Sequence, residues 1–401
     1  MTSGHTPAFL MQGLRYLVRL GGRHWWVSAL IWLAMIAPAR AALDLPVAIE
    51  EGTQQVGVAS STKALIKDGA GRTLGELAPG QALSAALTTG GVSLQGQWQA
   101  GQIWVEPTEG GYVWIGDRPE RGNWYRGRAF LVPTAKGLTA VNYVDLEQYL
   151  YSVVASEMIP SWPQEALKAQ AIAARSYALY QRQTSANSVY DVGDTQAWQV
   201  YEGVAKETST TQAAVSATAG QVLTYGGRII EAVFHSSSGG HTENVEDVWK
   251  QPLPYLRGVQ DYDQGTPVYQ WVKTFSNSEL SNRITGVGNV ISMQPARTTP
   301  RGRIVTMKVV GDAGSRTLSG DALRSALGLR STLFTATPMA ASAANKSSSS
   351  LPAFQISGRG FGHGLGMSQW GAHNLAQRGY NYQQIVLHYY KGTALAKIQV
   401  Q

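Results

Sequence analysis

The chain of 401 residues contains no cysteine. That absence excludes a disulfide framework, a thiol nucleophile, an iron–sulfur cluster and a cysteine-ligated zinc. Charge is scarce as well: charged residues are 15% of the chain, against roughly 25% in an ordinary soluble domain. Beyond residue 41 no apolar run is long enough for a bilayer, which takes about 20 residues. What the chain does have is glycine and tryptophan, 44 and 12 residues. Together with the low charge, that content argues against coiled coil and disorder and favours turns and short strands. The length is enough for roughly two or three domains with a sizeable core.

The net charge of +7 suggests an anionic partner at first sight. Arg15, Arg19, Arg23 and Arg40 account for more than half of it, in a stretch with no acidic residue. An apolar run from Trp25 to Ala37 follows, with the small-x-small triplets Ala37-Pro38-Ala39 and Ala39-Arg40-Ala41. Residues 1–41 therefore read as a secretory signal peptide or an uncleaved membrane anchor. The expected location is the periplasm or cell envelope, with membrane contact only through this segment and no nucleic-acid partner.

Residues 42–140 carry short strand-like runs, among them Val56–Val58, Ala64–Ile66, Val92–Leu94 and Ile103–Val105, separated by Gly, Pro and polar turns. They predict a β-rich scaffold. Residues 141–335 form the expected core. Asp145 to Val154 reads as a helix with Leu146, Leu150 and Val153 or Val154 on one face. A second, alanine-rich helix is expected to start at Ser161, with Gln164 completing a capping box and Pro163 in the first turn. Its stripe of Leu167, Ala171, Ala174 and Ala178 predicts close packing against a neighbour. Further strands are expected at Gln221–Tyr225, Ile229–Phe234, Arg303–Val310 and Phe354–Ile356. Residues 336–351, low in complexity and charge, read as a flexible insertion, and residues 352–401 complete the core. The fold class is α+β.

Three segments could carry chemistry. Glu157 stands between the two helices beside Met158, Ile159 and Trp162. A carboxyl in apolar surroundings holds its proton toward neutral pH and can act as a general acid; a solvated helix-end glutamate is the plain alternative. Gly358 to Ala372 alternates glycines around His363 and leads into a helix from Ser368 to Gln377. Such glycine density lets backbone approach a ligand closely, but the segment is neither a phosphate-binding loop nor a serine-nucleophile elbow. His235 and His241, six apart, could hold zinc with Glu243, Glu246 or Asp247, although Ser-Ser-Ser-Gly-Gly between them more plainly marks a turn.

Taken together, these segments resemble the stage II sporulation protein D (SpoIID/LytB, amidase-enhancer) family. The likeness is carried by Asn142 to Leu150, by Ser156-Glu157-Met158 with Pro160, and by Trp162 to Ala178. Asp194-Thr195, Gln199 to Gly203, the Ser238-Gly239-Gly240 loop and Gly358 to Ala372 extend it. One departure is Ile159, inserted in the family's Glu-Met-Pro motif. The resemblance implies a protein acting on peptidoglycan, with Glu157 as the catalytic residue of a lytic transglycosylase and no cofactor. It also implies Lys168, Arg175, Tyr177, Gln199, Tyr201, His363, Ser368 and Gln369 as substrate-binding residues, with Trp162 or Trp370 stacking on a sugar. Two other classes stay open: a non-catalytic peptidoglycan-binding enhancer of a cell-wall amidase, and a metalloenzyme using His235, His241 or His363.

Overall fold

The computed structural model describes residues 43–118, 121–185, 187–249, 251–339 and 353–398. Residues 1–42, with the segment read above as a signal peptide or membrane anchor, and the serine-rich stretch from residue 340 lie outside them. No helix among the described residues is long and apolar enough to cross a membrane.

Alternation of apolar and polar residues builds the first part of the chain. Asp44–Thr53 pairs antiparallel with Gly137–Asp145, which pairs in turn with Arg128–Thr134, at the heart of a seven-stranded sheet. A six-stranded sheet runs from Arg121–Tyr125 to Trp98–Ala100. Val47, Val58, Ile66, Val105 and Ile115 are fully buried in the core that both sheets share with the helices.

Eight helices occur among the described residues: α1 (Leu146–Glu157), α2 (Gln164–Thr184), α3 (Ser209–Ala217), α4 (Val245–Val248), α5 (Asn277–Arg283), α6 (Gly320–Leu327), α7 (Gln369–Gln377) and α8 (Tyr382–Tyr389). Asp145 caps α1 by accepting from the N–H groups of Glu147 and Gln148. The expected capping box at Ser161 does not form. Pro163 is the N-cap of α2, without a side-chain cap bond, because Ser161 and Trp162 belong to a turn in which Trp162 N–H donates to Ile159 O. The alanine stripe of α2 is buried, but so is nearly every other face. Ala166, Ala169, Ile172 and Ala173 are fully buried too, since α2 runs through the middle of α1, α3, α7, α8 and the strand Gln221–Tyr225. Alanine is what lets so many elements approach one axis.

The run Ile229–Phe234 is not one strand. Only Arg228–Ile229 and Phe234–His235 are extended and paired, the latter parallel to Met367–Ser368. Residues 336–339, expected in the insertion, are the end of a strand, Phe334–Met339, paired along its length with Ala353–Arg359. With Gln270–Phe275 these form a three-stranded sheet. It packs with α5, α6 and the strands Val290–Thr298 and Ile304–Gly311 around a second core of Trp271, Leu280, Met307, Leu323 and Ile356. That separate core, drawn from both the 141–335 and the 352–401 segments, left no mark in the sequence patterning.

Candidate functional site

Glu157 is the last residue of α1. Its Oε1 accepts from Val200 N–H at 2.9 Å and its Oε2 from the Gln369 side-chain amide at 3.5 Å. Burial raises its pKa, and the two donors only partly oppose that. The carboxyl lines a cavity of about 340 Å³ together with Tyr177, Trp198, His235, Trp249, Phe361 and His363. Glu157 is the only charged residue among the described residues that line it. The mouth is aromatic: Trp249 and Phe361 are 37% and 40% exposed, and Trp249 lies on the His363 ring at 5.5 Å.

The glycine-rich segment forms the facing wall. Gly360, Gly362, Gly364 and Gly366 all have positive φ, between 66° and 111°. A Cβ on Gly362 would meet His235 Cβ at 2.7 Å, and one on Gly366 would meet Val233 O at 2.0 Å. The close approach that Gly360, Gly362 and Gly366 permit is thus to the 233–239 segment of the protein itself, and that of Gly364 to Arg303. Leu365 is held from both sides. Its N–H donates to His363 Nδ1 at 3.1 Å, and its carbonyl accepts from His235 Nδ1, 3.0 Å away. His363 therefore keeps its proton on Nε2, donated to Phe234 O at 2.9 Å. Burial pushes its pKa down to about 4 and that of His235 well below the ordinary range. Both rings are neutral, and His235 Nε2 is buried without a hydrogen-bond partner.

Tyr177, His363 and Gln369 thus join Glu157 at one cavity. The other expected binding residues do not. Lys168 Nζ pairs with Glu165 at 2.7 Å and lies over the Tyr382 ring, outside the cavity lining. Arg175 is fully buried and bidentate to Glu147, at 2.9 and 2.6 Å, with further bonds to the carbonyls of Gln221 and Val215. Gln199 is buried between Tyr149 and the Ala174 carbonyl. Tyr201 donates to Asn142 inside a tyrosine cluster. Ser368 is buried as the N-cap of α7, accepting from Gly371 N–H. Each sits where its polar group is already bonded by the protein. Trp162 and Trp370 pack on each other at 4.6 Å and on His373, and neither is among the residues lining the cavity.

No group of three or more His, Asp or Glu side chains positioned for a metal ion occurs among the described residues. His241 bonds the Thr242 carbonyl, Glu243 faces Arg303 and Thr299, Glu246 pairs with Arg257 and Asp247 accepts from Asn244. Trp198 and Trp249 escaped the sequence reading, because a lone aromatic in a loop carries no periodic signal, and Phe361 was read only as part of the glycine-rich segment.

The family model for a stage II sporulation protein matches residues 134–225, the stretch holding Glu157, α1 and α2. Over 283 residues the chain is 35% identical to stage II sporulation protein D of Bacillus subtilis, covering 64% of this chain and 76% of that one. The chain belongs to the stage II sporulation protein D family. A protein of Brachyspira hyodysenteriae is 33% identical over 67% of this chain and 71% of its own. The amidase enhancer of Bacillus subtilis is 33% identical over 61% of this chain and 40% of its own. Residues 254–366, which include the second core, match a domain of unknown function, DUF8618. The Glu157 segment, inside the family model's match, and the glycine-rich segment, beyond it, are far apart in this chain and meet at one cavity.

Proposed function

We propose that the protein is an exported cell-wall enzyme, a lytic transglycosylase cutting the bond between N-acetylmuramic acid and N-acetylglucosamine in glycan strands. The observation that carries this reading is a single protonatable carboxyl, alone among uncharged lining residues, in a cavity with an aromatic mouth. A hydrolysing glycosidase needs two carboxylates flanking the bond. A transglycosylase needs one. The Glu157 carboxyl donates its proton to the glycosidic oxygen as the C1–O bond breaks. The carboxylate so formed takes the proton of the muramic C6 hydroxyl, which attacks C1 and closes a 1,6-anhydro ring. The acid is regenerated and no water is consumed. Trp249 and Phe361 offer faces on which sugars stack.

The name of the amidase enhancer relative supports a second reading, in which the cavity only holds glycan while a partner amidase does the cutting. Purified denuded glycan separates the two. The transglycosylase yields anhydro-muramyl ends detectable by mass spectrometry, and Glu157→Gln lowers their rate by about 10²–10⁴. Glycan that binds but is never cut overturns the enzyme and leaves the enhancer.

A further inference from the structure

The second core has no role in the chemistry above, yet it carries a cleft of about 500 Å³ close to the catalytic cavity. Its walls come from the three-stranded sheet, where Gln270 faces Arg359, Trp271 faces Gly358 and Val272 faces Ser357. Trp271 lies flat across Gly358, where a Cβ would stand 2.2 Å from the indole, and anchors its Nε1–H on Gly360 O at 2.9 Å. Arg301 and Arg359 are both exposed in this cleft. No acidic residue lines it, and neither guanidinium enters an ion pair or side-chain hydrogen bond among the described residues.

One strand-and-loop segment joins this cleft to the cavity. Gly358 and Arg359 line the first, Phe361 to His363 the second. Phe361 is tied to the 233–239 segment by reciprocal backbone bonds with Ser237, and the Arg330 guanidinium lies 5.9 Å from its ring. The three Cα-to-Cα steps from Gly358 to Phe361 span at most about 11 Å, the scale of one disaccharide. A glycan strand seated at Glu157 and running out past Phe361 would meet Arg359 and Arg301 next. A strand stripped of stem peptides exposes a lactyl carboxylate on every muramic acid, whereas an intact strand has it locked in an amide.

Resting on the transglycosylase reading, we propose that the cleft of residues 270–272, 301–302, 333–335 and 357–359 is a glycan-holding site whose Arg301 and Arg359 bind muramic carboxylates. Guanidinium pairs with carboxylate in a planar two-bond geometry that an amide cannot offer. Gln270, Thr335 and Ser357 supply hydrogen bonds to sugar hydroxyls. The domain of unknown function thereby becomes the part that tells denuded strands from peptide-bearing ones. Lys168 and Arg175, the two basic residues expected to bind substrate, are engaged with Glu165 and Glu147.

The test is equilibrium binding of denuded glycan to the full chain carrying Glu157→Gln, so that no strand is cut. Adding Arg301→Ala and Arg359→Ala should weaken binding at least tenfold at constant ionic strength, with unchanged melting temperature. Glycan whose muramic carboxyls are reduced to alcohols should bind the two-arginine parent as weakly as native glycan binds the variant. Charge reversal, Arg301→Glu with Arg359→Glu, should weaken it further. Equal binding of native and reduced glycan, or of parent and variant, overturns the proposal. So does stronger binding of a purified phosphate-rich wall polymer than of glycan. Cleavage by the protein with Glu157 intact is read separately. Cutting without arginine-dependent binding sinks only the cleft, and arginine-dependent binding without cutting sinks only the transglycosylase.

Discussion

At the scale of single residues, the cavity is arranged so that one group alone can change charge in the working range. Glu157 is pushed up by burial, while His235 and His363 are pushed down. Activity that needs protonated Glu157 falls as pH rises through its pKa, so the alkaline limb of kcat/KM against pH belongs to this carboxyl. His363 makes a separate prediction about stability. It titrates near 6.5 when unfolded and at about 4 when folded. Between those values the unfolded chain binds the extra proton, so stability is full above about 6.5, falls as pH drops, and levels below about 4. The loss is on the order of 3 kcal/mol. His363→Asn should remove that part of the slope, and melting curves from pH 7 to 4 for the two proteins would show it. Parallel slopes would mean the imidazole already carries its charge when folded.

Among the elements, α1 and α2 hold the site together through Arg175 and Glu147, with Glu147 also accepting from Gly220 N–H. Removing one partner of a buried pair costs about 3–5 kcal/mol, because the other charge is left unpaired. Arg175→Ala should therefore lower the denaturation midpoint sharply, whereas Lys168→Ala, at a half-exposed pair with Glu165, should shift stability by under about 1 kcal/mol. A stable Arg175→Ala with raised KM would instead return Arg175 to the substrate. The α1 boundary and its apolar face were legible in sequence, from Asp145 and the spacing of Leu146, Leu150 and Val154. The start of α2 was not. Ser161 and Gln164 have the right spacing for a cap, but Ser161 lies in the turn closed by Trp162 N–H on Ile159 O and the Gln164 side chain donates to Thr210 O instead.

For the whole molecule, Arg303 links the two cores. It is 1% exposed, donates to Ser238 O at 2.6 Å and lies across Gly364, where a Cβ would clash at 2.3 Å. Burial lowers its pKa to about 10, and buried Glu243 stands 3.6 Å away. Arg303→Met should cost several kcal/mol and slow glycan cleavage, because Ser238 and the wall containing Gly362 lose their anchor. Adding Glu243→Gln should restore much of the stability by removing the stranded charge, but not the rate. A chemical denaturation series on the three variants with product assays checks both. A double variant as slow and as unstable as the single one would rule out a stranded Glu243 as the source of the instability.

The sequence alone determined what depends on local order: the α+β class, the short strands before residue 145, the two helices around Glu157, the glycines that make a tight wall, and the family. Glu157 was a candidate from its apolar neighbours Met158 and Ile159, and the family resemblance, not that local pattern, set it apart from a solvated helix-end glutamate. Only the tertiary structure decided which polar side chains are free to meet a ligand. Arg175, Gln199 and Tyr201 are polar letters in a family motif whose partners, Glu147, Tyr149 and Asn142, come from distant positions that no spacing reveals, while Lys168 and Ser368 are bonded within one turn by Glu165 and by Gly371 N–H. Trp249 and Arg301 are unremarkable in sequence, Phe361 and Arg359 stand in the glycine-rich segment without an expected role, and all four reach the two clefts because packing around Arg303 brings the second core beside the first. A side chain's chemistry is local, but whether that chemistry is already satisfied is set by contacts across the whole chain.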